Sequence, residues 1–251
     1  MGKTIYVIPD TQAKTGVYNP LEPVAYHISK IKPTYIVHLG DHWDMPSLSQ
    51  YDKGKKSHRV KTYLKDIEAG NEAMKSFFSI LDRSWPEHVN VCRKYILTGN
   101  HEHRIARAKE YGPDELVGLM DLHKPDYTGW DEVYPFLEIL KLEGINFCHY
   151  FQNNGSASAI STARQLILKQ HESCIAGHKQ GFDYAEQLQG KDKRIQSMII
   201  GSCYYHDEEY KTHTNHHWRG SVVLHDVHDG MYDFSRHSLT SLDQQFFDKV
   251  S

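Results

Sequence analysis

Short apolar runs alternate with helix-like stretches along the first hundred residues of the chain. The runs at residues 5–9, 34–39 and 95–98 are rich in β-branched and aromatic side chains, which favours buried strands. Between them, residues 21–31 and 62–81 carry apolar side chains at helical spacing. This alternation predicts a layered α/β arrangement in which helices connect the strands.

Hairpins dominate the pattern further along the chain. Two pairs of apolar segments each flank a dipeptide that favours a tight turn, Glu143-Gly144 and Asp229-Gly230. The segments are 136–142 with 145–149, and 221–227 with 231–234. The other predicted elements are strands at 174–176 and 197–201, helices at 104–110 and 157–170, and an irregular stretch at 111–130. Since no repeat or low-complexity linker divides the sequence, we expect a single domain over residues 1–251.

Composition narrows the class of protein without identifying it. An apolar share of 39%, with 12% aromatic residues, can fill a sizeable core. A net charge of −3 argues against a chain-wide basic surface for nucleic acid, although a local patch stays open. The amino-terminal stretch leads directly into the first predicted strand, and we expect it to be neither a signal peptide nor a membrane span because it has no apolar run long enough. The four cysteines form no Cys-x-x-Cys pair, so we expect them to be reduced and buried in a cytoplasmic protein.

Candidate metal ligands follow several of the predicted strands. Parallel strands place their carboxyl ends at one sheet edge, so these residues are expected to converge there. Aspartate, asparagine and glutamine offer oxygen donors and histidine offers nitrogen. The segments are Asp10-Thr11-Gln12, Gly40-Asp41-His42-Trp43-Asp44, Gly99-Asn100-His101-Glu102, His149 and Gly177-His178-Lys179-Gln180.

The order of these segments resembles the calcineurin-like metallophosphoesterases, from Ile5 to about Gln180. The general character of the chain is similar to members found in bacterial viruses. The resemblance implies an α/β/β/α sandwich of mixed sheets with flanking helices and a centre for two divalent cations. It implies one cation held by Asp10, Gln12, Asp41 and Gln180, and another held by Asp41, Asn100, His149 and His178. Asp41 would bridge the two ions.

Two positions depart from the family pattern, which has histidines where this chain has Gln12 and Gln180. Both belong to the same implied cation, whose ligands would all be oxygens. Such a site favours Mg²⁺, Mn²⁺ or Ca²⁺ over Zn²⁺, and weak amide ligands predict loose binding. The other cation has two imidazoles and suits Mn²⁺, Fe²⁺ or Zn²⁺.

The catalytic hypothesis centres on His101 as general acid, oriented by Asp44, while the ions lower the pKa of a bridging water. A structural role for His101 is the alternative. Arg104 is a candidate for clamping a phosphate oxygen or for a surface ion pair. His42 matches no motif role and could line the pocket or be exposed, and we expect it to be exposed.

Two further segments are candidates for substrate contact. Residues 203–219 mix aromatic side chains with His and Arg, including Arg219, which could stack a base and contact phosphate or simply form a packed surface loop. The charged loop at 52–61 could attract an anion or simply be solvated.

These features predict a phosphodiesterase acting on nucleotides or on DNA or RNA, because loss of the histidine at the Gln12 position disfavours monoesters in the resembled family. A nuclease is one option within this class. The alternatives are a phosphomonoesterase, including a protein phosphatase, and a catalytically weakened metal-binding module that binds a partner.

Overall fold

The computed structural model of the chain describes residues 2–49, 62–111, 114–207 and 217–250. In chain order its strands are β1 (Lys3–Ile8), β2 (Tyr35–His38), β3 (Arg93–Leu97), β4 (Glu132–Tyr134), β5 (Leu140–Leu142), β6 (Ile145–Cys148), β7 (Ser173–Ala176), β8 (Asp183–Leu188), β9 (Arg194–Ile199), β10 (Gly220–His228) and β11 (Met231–Ser238). Its helices are α1 (Leu21–Ile31), α2 (Tyr63–Ser84), α3 (His88–Val91), α4 (Asn100–Tyr111), α5 (Asp114–Leu122), α6 (Ala163–Gln170) and α7 (Leu239–Val250), with a 3₁₀ turn at Pro46–Leu48.

The described strands form two mixed sheets. One sheet has the order β11-β10-β1-β2-β3-β4 and the other has the order β5-β6-β7-β9-β8. Strands β1 to β4 run parallel, and β10 pairs antiparallel with β1. In the second sheet, β6, β7 and β9 are parallel, and β5 and β8 are antiparallel edge strands. The carboxyl ends of both sets of parallel strands can therefore supply side chains to a common site.

The contacts in the hydrophobic core show how the two sheets and the helices are layered. Ile5, Val7 and Val37 from the first sheet pack against Phe147 and Ile175 from the second. Side chains alternate along a strand, so the neighbouring residues of β1 face the other way and meet helices α1, α2 and α7. Helix α6 covers the outer face of the second sheet. The result is the predicted mixed α/β sandwich with helices on both outer faces.

Several predicted elements are confirmed. Helix α1 covers the predicted residues 21–31, and both predicted hairpins form antiparallel pairs. The described cysteines are all buried and free, as expected. None of the helices in the described residues has the length and apolar character that a membrane span needs. The charged loop predicted at 52–61 lies outside the described residues.

Other predictions were wrong in their bounds. Helix α4 begins at Asn100 rather than at residue 104, and α5 forms in a stretch predicted to be irregular. Helix α6 begins after residue 162 rather than at 157, because the Thr162 hydroxyl accepts from the Gln165 amide and caps it. Strands β4 and β8 and helix α7 were not predicted. The two strands are short or largely exposed edges that are stabilised by pairing with a neighbour.

Candidate metal centre

The predicted ligands follow strands whose carboxyl ends point to one place. Asp10 follows β1, Asp41 follows β2 and Asn100 begins the helix after β3, while His149 and His178 follow β6 and β7. Ligand atoms of Asp41, His149 and His178 all lie within 4.8 Å of one another. Residues from two sheets and distant parts of the sequence are thus brought together.

Hydrogen bonds fix the orientation of the His149 ring. Its Nδ1 lies 2.9 Å from the Leu39 carbonyl oxygen and therefore carries a proton. Its Nε2 lies 3.0 Å from Asn100 Oδ1 and 3.3 Å from Asp41 Oδ2. Burial lowers the pKa of His149, but the Asp41 carboxylate outweighs it and the pKa rises to about 9. Nε2 is the nitrogen presented to the cluster, and a cation there would replace its proton.

The other predicted oxygen donors border this cluster. Asp10 Oδ1 accepts from the His178 backbone amide at 2.9 Å. Asp10 Oδ2 and Gln12 Oε1 are buried and have no hydrogen-bond partner among the described residues. Gln180 is also buried, and its Nε2 donates to the Tyr204 hydroxyl at 2.8 Å. Buried oxygens without donors are costly, and a cation would satisfy them, so this part of the site fits a metal ion.

Backbone strain accompanies the site. Gln12, Asp41 and His178 have φ angles of 36°, 51° and 65°, in the left-handed region that L residues seldom adopt. Strain of this kind persists only where surrounding contacts hold it, and it concentrates at functional sites. A Cβ at Gly99 would lie 2.1 Å from Asp41 Oδ1, so only glycine permits the close approach of the Asp41 carboxylate to the start of α4. There, Asp41 Oδ1 accepts the His101 amide at 2.8 Å.

His101 lies between the carboxylates of Asp41 and Asp44. The sequence predicts that Asp44 orients this ring. Its Nδ1 is 3.0 Å from Asp44 Oδ1, and its Nε2 is 3.8 Å from Asp41 Oδ2. Burial lowers the pKa of His101, but Asp41 and Asp44 together outweigh burial and raise it. The same ring contacts hold the pKa of Asp44 below its usual value despite burial. The pair therefore favours an imidazolium beside an ionised carboxylate.

Glu102 is a site residue to which the sequence analysis gave no role. It is 7% exposed and accepts four backbone hydrogen bonds. Its Oε1 accepts from the amides of His42 and Trp43 at 2.6 and 2.9 Å, and its Oε2 accepts from those of Asp41 and Gly99 at 3.0 and 2.7 Å. Glu102 thus fixes the strained turn that carries Asp41. Its place directly after Asn100 and His101 was the only sequence signal.

A second supporting network lies beneath the turn. Gly40 donates its amide to His38 Nδ1, so His38 Nε2 donates to Thr11 Oγ1 at 3.0 Å. Because His42 Nε2 donates to the Gly70 carbonyl, Thr11 Oγ1 donates to His42 Nδ1 at 2.7 Å. Burial lowers the pKa of both imidazoles, so both are neutral. The expectation that His42 is exposed was wrong, since it is fully buried and helps to hold Thr11 between Asp10 and Gln12.

The two predicted substrate-binding arginines have protein partners. Arg104 Nη1 donates to the Asp44 and Met45 carbonyls at 2.9 and 3.3 Å, which ties α4 to the loop after β2. Arg219 Nη2 donates to Asp207 Oδ1 at 2.6 Å. Neither contact brings a guanidinium onto the Asp41 cluster, and phosphate binding by either arginine stays a prediction. Residues 208–216 of the aromatic segment lie outside the described residues.

Comparison with known proteins defines the class of protein to which this fold and site correspond. The chain belongs to the calcineurin-like phosphoesterase family, whose profile matches residues 3–243. It is therefore a phosphoric ester hydrolase of a metal-dependent family.

The chain is also similar to individual proteins. It is 32% identical to "Gene 54 protein" of Mycobacterium phage L5 over 214 residues, covering 80% of each chain. This relative agrees with the expected phage-type character. Among solved structures, the chain is similar to Vps29 complexed with Zn²⁺ from Entamoeba histolytica, at 11% identity and a TM-score of 0.43, covering 94% of this chain and 99% of that one.

Proposed function

We propose that the chain is a phosphodiesterase that hydrolyses nucleotide or nucleic-acid diesters at a two-metal centre, with His101 as general acid. The observation that carries this proposal is the position of His101. Its ring contacts Asp44 on one side and lies beside the Asp41–His149–His178 cluster on the other. A proton donor next to a cation site is the arrangement that an alkoxide leaving group requires. Gln12 supports diesters over monoesters, because in the calcineurin-like family loss of the histidine at this position disfavours hydrolysis of monoesters.

Two donor sets support two unequal cation sites. The first contains only oxygen donors and suits Mg²⁺ or Mn²⁺, and the second contains two imidazoles and suits Mn²⁺, Fe²⁺ or Zn²⁺. The first set is Asp10, Gln12, Asp41 and Gln180, and the second is Asp41, Asn100, His149 and His178. When bound, the ions would polarise the phosphoryl oxygens and lower the pKa of a bound water. The chain's own task is to fix these donors and to hold the His101 proton near the leaving oxygen.

Metal affinity is expected to depend on pH differently at the two sites. In the free protein, the pKa of His149 is about 9 because of Asp41, and burial raises the pKa of Asp10 to about 7. A cation must displace either proton, so its affinity falls as pH drops below the pKa concerned, about tenfold per unit for each proton. Calorimetric titration with Mn²⁺ between pH 6 and 9.5 should show two unequal sites, the imidazole site weakening below about pH 9 and the oxygen site below about pH 7.

Two glutamine-to-histidine variants test the metal titration, one at the proposed site and one as a matched control on the surface. Gln12→His should strengthen the weaker site, whereas Gln245→His on α7 should leave both sites unchanged. Two tight sites of equal affinity in the wild type would contradict the assignment, as would affinities that do not change with pH.

The function is tested with chromogenic substrates. With Mn²⁺, the wild type is expected to hydrolyse bis-p-nitrophenyl phosphate at least about tenfold faster than p-nitrophenyl phosphate. Asp41→Ala should abolish both reactions, because Asp41 belongs to both donor sets. Hydrolysis of the monoester alone would favour a phosphomonoesterase, and no turnover with any divalent metal would favour a metal-binding partner module.

A further inference from the structure

Three nitrogen-bearing side chains lie near Asp44, and His206 interacts electrostatically with Asp44, Lys14 and Arg219. We call Lys14, His206 and Arg219 the nitrogen cluster. Lys14 Nζ is 3.8 Å from Asp44 Oδ2, while Asp44 Oδ1 faces His101. Arg219 Nη2 lies 3.5 Å from the His206 carbonyl oxygen. The Asp44 carboxylate therefore lies between Lys14 of the nitrogen cluster and the proposed general acid, His101.

The His206 ring is held in place by an aromatic contact. It stacks on the Tyr204 ring at a centroid distance of 4.4 Å and an interplanar angle of 25°. The Tyr204 hydroxyl accepts from Gln180 Nε2, so the stack also connects to the oxygen-rich cation site. Burial lowers the pKa of His206 to about 4, and the ring is neutral with one N–H donor.

Several buried nitrogen atoms in the cluster lack a hydrogen-bond partner. Within the described part of the chain, neither ring nitrogen of His206 nor Nε of Arg219 has a partner. A buried donor without an acceptor is rare in folded proteins and commonly marks a bound water or ion. Arg219 Nε and one ring nitrogen of His206 carry N–H groups, so the partner that these donors lack is an acceptor. His206 also interacts electrostatically with Lys14 and Arg219, and these two positive charges favour an acceptor with negative charge.

The carboxylates of Asp207 and Asp44 also lie near the nitrogen cluster, and they already occupy some of its donors. Asp207 accepts from Arg219 Nη2, while Nε has no partner in the described part of the chain. Asp44 contacts His101 and Lys14. A tetrahedral phosphate presents several oxygens in different directions and can reach an arginine edge and an ammonium together. A planar carboxylate presents only two oxygens, so phosphate fits this scattered set of donors better.

We propose that the nitrogen cluster binds a second phosphate carried by the leaving group of the substrate. This inference rests on the proposed function, because the general acid must face the leaving oxygen. The group attached to that oxygen then extends past His101 towards Asp44 and Lys14. In a polynucleotide, that group carries the neighbouring phosphodiester. The nitrogen cluster would therefore favour a polynucleotide substrate over a diester that has no second phosphate.

The test compares substrates that differ only in this phosphate. The thymidine dinucleoside monophosphate TpT is compared with its 5′-phosphorylated and 3′-phosphorylated forms, which cover both directions of cleavage. The wild type should cleave one phosphorylated form with a kcat/KM at least about tenfold above that for TpT. Arg219→Gln and His206→Gln should reduce this preference to near one, whereas Arg83→Gln, an exposed change on α2, should keep it.

Binding provides a readout that does not need turnover. By calorimetry with Mn²⁺ present, thymidine 3′,5′-bisphosphate should bind the wild type at least about tenfold more tightly than both thymidine monophosphates, and the advantage should disappear in the two variants. Equal kcat/KM values and equal affinities in the wild type would overturn the inference, even if bis-p-nitrophenyl phosphate is hydrolysed. Failure to hydrolyse any diester would instead count against the proposed function, and the binding comparison would then decide the second phosphate site.

Discussion

Replacing Glu102 with alanine is expected to lower the melting temperature by at least about 8 °C and to abolish Mn²⁺ binding. The change removes the acceptor of four backbone amides in the turns at Asp41 and Gly99. Each buried donor left without a partner costs about 1–3 kcal/mol. A loss of about 4 kcal/mol or more corresponds to at least about 8 °C for a chain of this size. Thermal unfolding and calorimetric titration measure the two effects.

Two further variants complete the test, one a conservative change at Glu102 and the other a control elsewhere on the same helix. Glu102→Gln keeps one oxygen for two amides and turns an NH₂ group towards the others, so its loss of stability should be intermediate. Glu110→Ala, an exposed change on the same helix, should alter the free energy of unfolding by no more than about 0.5 kcal/mol. If Glu102→Ala unfolds at the wild-type temperature and binds Mn²⁺ normally, Glu102 does not hold the turn.

Replacing His101 with glutamine is expected to lower kcat for TpT by about 10²–10⁴-fold. The leaving oxygen of TpT is an alkoxide and needs a proton, whereas p-nitrophenolate leaves readily without one. The loss on bis-p-nitrophenyl phosphate should therefore be much smaller. His103→Gln, an exposed change on the same helix, is the matched control and should keep activity on both substrates. Equal losses on the two substrates would show that His101 is not the proton donor.

The pH profile gives an independent test of Asp44. An acid catalyst acts in its protonated form, so activity falls as pH rises through its pKa. Asp41 and Asp44 raise the pKa of His101, and Asp44→Asn removes one of these contributions. The alkaline limb of kcat should therefore move to lower pH in Asp44→Asn, with a smaller kcat at its maximum. A limb that stays in place would leave Asp44 with a purely structural role.

Both large effects have a common structural origin. The turn after β2 carries Asp41 in a left-handed conformation, and that turn is held by Glu102 from one side and by the Thr11 network from the other. Helix α4 supplies His101 and Glu102 from consecutive positions. One short segment therefore provides the proposed acid catalyst and the support for the proposed bridging carboxylate.

Local patterns in the sequence were enough to predict the layered architecture and where the donor residues would lie. Apolar runs of strand length identified β1, β2, β3 and β7, and turn dipeptides identified both hairpins, because burial and tight turns impose their own residue types. Donors that follow parallel strands lie at the carboxyl edge of their sheet. Asp41 belongs to one sheet and His149 and His178 to the other, so their convergence was expected only from the ligand set that the family resemblance implies.

The tertiary structure decided whatever depends on partners distant in sequence. Edge strands β4 and β8 form because neighbouring strands pair with them, and α4 starts early because Asp41 accepts an amide of its first turn. Three features have no local signature: the burial of His42, the four amides on Glu102, and the His206 ring nitrogens that find no hydrogen-bond partner among the described residues. Periodicity reports which face of an element is buried, but only the packed chain determines which polar atoms meet there and which are left for a ligand.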